Sequence, residues 1–400
     1  MPPFPRRRTA KRLLLVGGAL LLSLAVGEFV LRTFVLTDGR YGGRPLPPLR
    51  AINHPGQQAL YERRLRAWQA GTSHDGAVLF DTGLGWTFAP SRRSGDGVDN
   101  TNALAARGTR EYGPTPPQRS SRVLTFGDSF TYCNHVGDDE TWQRVLESRD
   151  PQLEVINFGV PSYGTDQALL RFRRCGRDLG ARVVVMGLML ENIGRNVNRY
   201  RPVYFAQSGT LGIKPRFVLD GGDLVLVPIP YRDEGEALRA IGDGSVLDDL
   251  AAHEHWRDRP RVPFGDTFAT LRLLAGYIGS VQRRPSTLWS APDEEPYRVT
   301  VAILAAFAAE ARAAGAEFAP VLVFPPEDAL ATALGRAPRY WSAMLADLGR
   351  HGVAAIDSTD ALVAACGDAG ASSVFASGHL NARGNAAVAD LLFAWLAARL

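Results

Sequence analysis

Nearly continuous apolar runs that alternate with amphipathic helical patterns constrain this 400-residue chain more than any other feature. Val123-Leu124-Thr125-Phe126, Glu154 to Asn157 and Arg182 to Leu190 lack the polar alternation of a one-sided strand, so they suit strands buried on both faces. Between and after them the spacing predicts helices near Thr141 to Glu147, Thr165 to Arg177 and Tyr297 to Ala314. A strand at Glu317 to Phe324, helices within Pro326 to Gly349, a strand at Val353 to Asp357 and a closing helix at Arg383 to Arg399 follow. This order predicts an α/β domain with a parallel sheet covered on both faces. Ligands of such sheets bind beyond the carboxyl ends of the strands, which makes the residues just after each run the functional candidates.

The first run ends in Gly127-Asp128-Ser129-Phe130-Thr131. A strand-to-helix turn there exposes the Ser129 hydroxyl, and the N–H groups that open the helix can hold an anion. Taken alone, this segment equally describes a polar cap after a buried strand. The second run leads into Phe158-Gly159-Val160-Pro161, the third ends at Glu191-Asn192, and Gly378-His379-Leu380-Asn381 precedes the closing helix. Ser, Gly, Asn and His in that order resemble the four blocks of the SGNH (GDSL) hydrolase superfamily, over roughly residues 119 to 400 apart from an insertion. The resemblance implies a three-layer α/β fold with a flavodoxin-like parallel sheet. It also implies Ser129 as nucleophile, His379 as general base, and an oxyanion hole made by the Ser129 and Gly159 N–H groups and the Asn192 amide.

Two departures from the family pattern matter. The third block reads Glu191-Asn192, so a one-residue shift would place Glu191 at the Asn position, where a carboxylate would repel an oxyanion. Asn192 is therefore the assignment. The Asp that usually precedes the family's His by two or three residues is replaced by Ala376 and Ser377. Three readings remain: a Ser-His dyad assisted by a backbone carbonyl, a carboxylate supplied by Asp357 or Glu191, or a weakened enzyme. His135, six residues after Ser129, lies on the loop leaving the same turn, whereas a serine's base normally arrives from a distant segment. His54, His74, His253, His255 and His351 lack partners at metal-ligand spacing, so no metal is expected, and no cofactor is implied.

At the N-terminus Arg6-Arg7-Arg8 and Lys11-Arg12 precede an apolar run from Leu13 that resumes after Glu28 as far as Leu36. A positive flank followed by an apolar core predicts a cytoplasmic tail over 1–12 and a signal anchor over 13–36, provided Glu28 and Arg32 pair or lie near the far interface. Cleavage after Ala25-Val26-Gly27 is the alternative, and either outcome exports the rest of the chain. Residues 37–118, rich in Pro, Gly and Arg, are expected to form a stalk and lead-in that packs partly on a hydrolase domain over 119–400. The domain is interrupted at about 195–291 by a β-rich insertion, in which Arg216 to Leu219 and Leu224 to Val227 flank Asp220-Gly221-Gly222-Asp223 as a hairpin. The polar run Arg195 to Arg201 suits either a saccharide substrate or hydrogen bonds that fasten the insertion to the sheet.

The formal charge of +4 comes from Arg without a basic run interleaved with aromatics, which argues against a nucleic-acid partner. Cys133, Cys175 and Cys366 allow one disulfide in an oxidising compartment, or none. The expected function is an exported, membrane-tethered serine esterase or O-acyltransferase acting on an ester-bearing small molecule or polysaccharide. A catalytically weakened binding or assembly component and a lipase or lysophospholipase are the alternatives.

Overall fold

The computed structural model describes residues 6–36, 40–41, 44–46, 49–72, 78–257, 263–264 and 267–400. His74 and residues 1–5 of the expected tail lie outside them. Five strands, β1 (Ser121–Phe126), β2 (Leu153–Asn157), β3 (Val183–Met189), β4 (Val321–Phe324) and β5 (Ala355–Asp357), form one parallel sheet in the order 2-1-3-4-5. This is the flavodoxin-like order that the family resemblance implies. The chain reverses its direction of travel between β1 and β3, so the crevice for a ligand opens where those two strands end.

The absence of polar alternation in the strands has its reason in this layering. Val183, Val185 and Met189 of β3 pack with Trp142, Leu362 and Val388, whereas Val184, Met186 and Leu188 pack with Phe172 and Phe307. One layer thus holds helices Trp142–Arg149, Thr359–Cys366 and Ala382–Ala397, and the other holds Thr165–Cys175 and Glu295–Ala313. Phe126 stacks on Phe158 at 5.0 Å and meets Phe172 and Phe307 edge-on, which couples β1 to the second layer directly below the serine turn. Burial of one such ring is worth about 1.5–3 kcal/mol.

The lead-in packs on the domain through Trp86 and Arg107. Strands Val78–Asp81 and Gly85–Phe88 pair antiparallel, and Trp86 is buried, donating from Nε1 to the Pro161 carbonyl at 3.0 Å. Arg107 donates to the carbonyls of Tyr132, Cys133 and Val136, so the segment before residue 119 braces the loop that follows Ser129. The insertion contains the expected hairpin, Arg216–Asp220 with Asp223–Val227, turned by Gly221 and Gly222 at positive φ. Its remaining regular structure is helical, including Glu234–Asp243 and Ala269–Gln282, so β-rich describes only the hairpin. All three cysteines are free, and the disulfide that their number allowed is not formed.

The N-terminal helix runs over Arg6–Val30 and continues as a π-helical turn over Leu31–Val35, with its apolar side chains exposed. The stretch Lys11–Val35 is long and apolar enough to cross a bilayer. Glu28 and Arg32 pair at 2.6 Å. Glu28 also accepts from the N–H groups of Ala269 at 2.6 Å and Thr270 at 3.1 Å, satisfying donors that open helix Ala269–Gln282. Loss of a helix cap costs about 1 kcal/mol. Glu28→Ala is therefore expected to speed proteolysis within 269–282 in the detergent-solubilised full chain while cleavage elsewhere is unchanged; limited proteolysis read by mass spectrometry checks it.

Candidate active site

Ser129 opens a short helix, Ser129–Tyr132, immediately after β1. Its position is fixed from both sides. Asp128, 1% exposed, accepts from the Phe130 N–H at 2.9 Å through one oxygen. Its other oxygen accepts from Asn192 Nδ2 at 2.9 Å and from Arg195 Nη1 at 3.1 Å. From the other side, Gly159 lets the β2 exit loop lie against this helix, since a Cβ there would overlap the Tyr132 amide nitrogen.

His379 reaches the serine from a tight hairpin of Phe375–Ala376 with His379–Leu380, whose turn residues Ser377 and Gly378 have φ of 48° and 78°. His379 Nε2 lies 2.8 Å from Ser129 Oγ, and Nδ1 lies 3.4 Å from the Ser377 carbonyl oxygen. A carbonyl can only accept, so Nδ1 carries the proton and Nε2 is left to accept from the serine hydroxyl. Among the described residues no carboxylate takes the orienting place. The oxygens of Asp357 accept from Arg339 and Trp341 Nε1, each at 3.0 Å, and from the Thr359 N–H at 3.0 Å. Glu191 pairs with Arg195 at 3.3 Å. Of the three readings of the missing Asp, the geometry matches the dyad assisted by a backbone carbonyl, because the hairpin that presents His379 also presents that carbonyl.

Burial lowers the His379 pKa below its ordinary 6.5, against an opposing pull from Asp128, and nearby His135 and Arg195 add to the lowering. The imidazole is thus held neutral and able to accept a proton at neutral pH. His135 is exposed, with its ring 5.1 Å from that of His379, and is a neighbour of the base. The buried Cys133 thiol is pushed up to about 12 by burial, which makes it inert beside the serine.

The three expected oxyanion donors are not equally free. No described group accepts from the Ser129 N–H. The Gly159 N–H, by contrast, donates to Asn157 Oδ1 at 2.9 Å, so its contribution in this conformation is close packing, and the expected donor role is corrected to that extent. Asn192 Oδ1 accepts from the Met189 N–H at 3.1 Å, while Nδ2 serves Asp128 and, at 3.3 Å, the Tyr163 carbonyl. Arg195 Nη1 donates to that same carbonyl at 3.1 Å. Release of the Asn192 hydrogen bond would therefore leave the Tyr163 oxygen satisfied.

Arg195 was expected only as a substrate-facing or fastening residue, and it fastens, as do its neighbours. Asn196 donates to Thr165 and Thr300, Asn198 to Glu254, and Arg199 to the carbonyls of Ala252 and Pro228. These hydrogen bonds match the fastening reading, while Arg201, at the end of the run, is buried with Nε and Nη1 unpartnered. The Glu191 to Arg195 spacing of four residues was the one sequence signal for the ion pair that reaches Asp128.

No protein-family model matches the chain, and no curated protein matches it. Among solved structures it is similar to LAE5, an alpha/beta hydrolase enzyme from the metagenome of Lake Arreo, Spain, at 13% identity and a TM-score of 0.37, over 68% of this chain and 94% of that one. It is also similar to a member of the lipolytic protein G-D-S-L family from Veillonella parvula DSM 2008, at 11% identity and a TM-score of 0.30, over 70% of this chain and all (100%) of that one. The fold and site stand on the sheet order and the serine–histidine geometry.

Gly159→Ala should destabilise the domain by about 1–3 kcal/mol through overpacking against Tyr132, seen as a lower melting temperature. The rate at which a fluorophosphonate labels Ser129 should rise with pH and level off with a midpoint below 6.5, since the neutral imidazole is the active form. His135→Gln removes a contribution that lowers the His379 pKa, so it should move that midpoint to higher pH. The sum of sheet order, serine turn and histidine hairpin is a three-layer α/β architecture in which the serine and the histidine meet beyond the carboxyl ends of the strands.

Proposed function

We propose that the chain is a membrane-tethered serine ester hydrolase or O-acyltransferase that works through a Ser129–His379 dyad. The observation that carries this reading is the 2.8 Å contact between His379 Nε2 and Ser129 Oγ, with the Ser377 carbonyl on Nδ1. Ser129 Oγ attacks the ester carbonyl carbon as its proton passes to His379 Nε2. The negative oxygen that results is held by the Ser129 N–H and by the Asn192 amide once it leaves Tyr163, with the positive end of the short helix adding little at four residues. Collapse breaks the bond to the alcohol, which takes the proton from His379, and an acyl-Ser129 remains. Water or an acceptor hydroxyl then gives its proton to His379 as it attacks the acyl carbon, the bond to Ser129 Oγ breaks, and Oγ takes that proton back from His379.

The exposed apolar helix supports a placement of this domain at the extracytoplasmic membrane face, where ester-bearing envelope or secreted polysaccharide is the substrate class within reach. The binding or assembly alternative is motivated by two observations: the Gly159 N–H and the Asn192 amide already have partners, and no carboxylate orients His379. A fluorophosphonate probe on the folded full chain separates the two readings. Labelling that Ser129→Ala abolishes is expected, and its absence in the wild type would favour the binding component. Ala376→Asp places a carboxylate at a position paired with His379 across the hairpin. Since a triad's orienting acid is worth roughly four orders of magnitude, this variant should raise the labelling rate at least about tenfold.

A further inference from the structure

Outside the serine crevice, the end of the N-terminal helix and the insertion enclose a cavity of about 880 Å³. Neither Ser129 nor His379 lines it. Its walls are largely apolar: Leu31 and Val35 from the π-helical turn, Leu46 and Phe205, and Leu273 and Tyr277 from helix Ala269–Gln282. That helix has no acidic residue, and Phe264, Phe268, Leu274 and Tyr277 on and before it are exposed. A half-exposed apolar helix beside the end of a membrane span is suited to the interfacial layer of a bilayer.

Three arginines, Arg257, Arg283 and Arg284, also line the cavity. Arg257 is paired with Asp248 at 2.5 Å. Arg283 lies over the rings of Tyr204 and Trp256, 5.9 and 5.4 Å from their centroids, and its Nε is buried with no hydrogen-bond partner. The carboxylate that acts on it is Glu254, whose oxygens are already held by the N–H groups of Arg199, Tyr200 and Trp256 and by the Asn198 amide. Burial of a guanidinium without a bound anion is costly, so this wall calls for an anion where the rest calls for hydrocarbon. Two carboxylates share the lining, Glu191, which is paired with Arg195, and Asp328, and they would repel an anion from their side.

We infer that this cavity binds one anionic phospholipid of the membrane that the N-terminal helix spans, with an acyl chain along Leu31, Val35 and Tyr277 and the phosphate on Arg283 and Arg284. The inference rests on the reading of that helix as a membrane span. Such a lipid is a resident of the junction between anchor and insertion, separate from whatever ester reaches Ser129.

The test uses the full chain reconstituted in bilayer nanodiscs that hold phosphatidylglycerol and phosphatidylcholine in equal amounts, then released for native mass spectrometry. The wild type should retain one phosphatidylglycerol. Arg283→Gln with Arg284→Gln should retain about thirtyfold less, and Leu273→Trp, which fills the cavity and keeps both arginines, should also lose the lipid. Circular dichroism melting checks that each variant is folded. Equal retention of the two lipids, retention by the variants as by the wild type, or no retained lipid would overturn the inference. Alkaline carbonate extraction of membranes separates the two failures: a chain that is washed off defeats the span and the inference together, whereas a chain that stays embedded but retains no lipid defeats the inference alone.

Discussion

The buried carboxylate of Asp128 holds the site together. Its two oxygens join three segments: the helix that begins at Ser129, the Asn192 amide just past β3, and Arg195 at the start of the insertion. Burial of a carboxylate this deeply is costly unless its lone pairs are filled and a cation is near, and both conditions are met here. The same constraint acts in reverse on Arg195, whose burial is tolerable because Asp128 and Glu191 flank it. The position of the nucleophile and the attachment of the insertion are therefore one electrostatic arrangement. If Arg195 moved away, the buried Asp128 would lose the cation it is paired with.

His379 is organised by different means. A carboxylate on Nδ1 would both fix the tautomer and stabilise the imidazolium; the Ser377 carbonyl fixes the tautomer but, as a neutral dipole at 3.4 Å, gives the cation less. Burial works in the same direction by disfavouring the charged form. The combination makes a base that accepts a proton reluctantly. Exposure of Ser377 and Gly378 adds to this, because the hairpin that carries the base is braced from one side only.

The strands, the helices around them and the meeting of Ser129 with His379 were legible because each is written locally, as an apolar run, a helical period or a short block after a strand. What the sequence concealed is backbone and long-range bracing. Nothing in Ala376-Ser377 says that a main-chain oxygen would face Nδ1, since that depends on the positive φ of Ser377 in a two-residue hairpin. Asn157 gives no sign that its side chain would occupy the Gly159 N–H two residues later. Which residues of the lead-in pack on the domain was hidden because Pro, Gly and Arg carry no period; Arg107 and Trp86 sit deep in the structure and hold carbonyls around the site. Arginines that bind carbonyl oxygens cannot be told by composition from arginines that face solvent.

The insertion connects these two scales. At its start Arg195 reaches Asp128 in the site, and near its end helix Ala269–Gln282 is capped by Glu28 of the N-terminal helix. A carboxylate in an otherwise apolar span is expensive unless it has a partner, and here its partners are Arg32 and the free N–H groups of another helix. The distance along the chain between Glu28 and Ala269 means that the N-terminal helix is recognised by the folded body rather than merely joined to it. That contact fixes the direction of the helix relative to the serine crevice, which a flexible tether of equal length would not do.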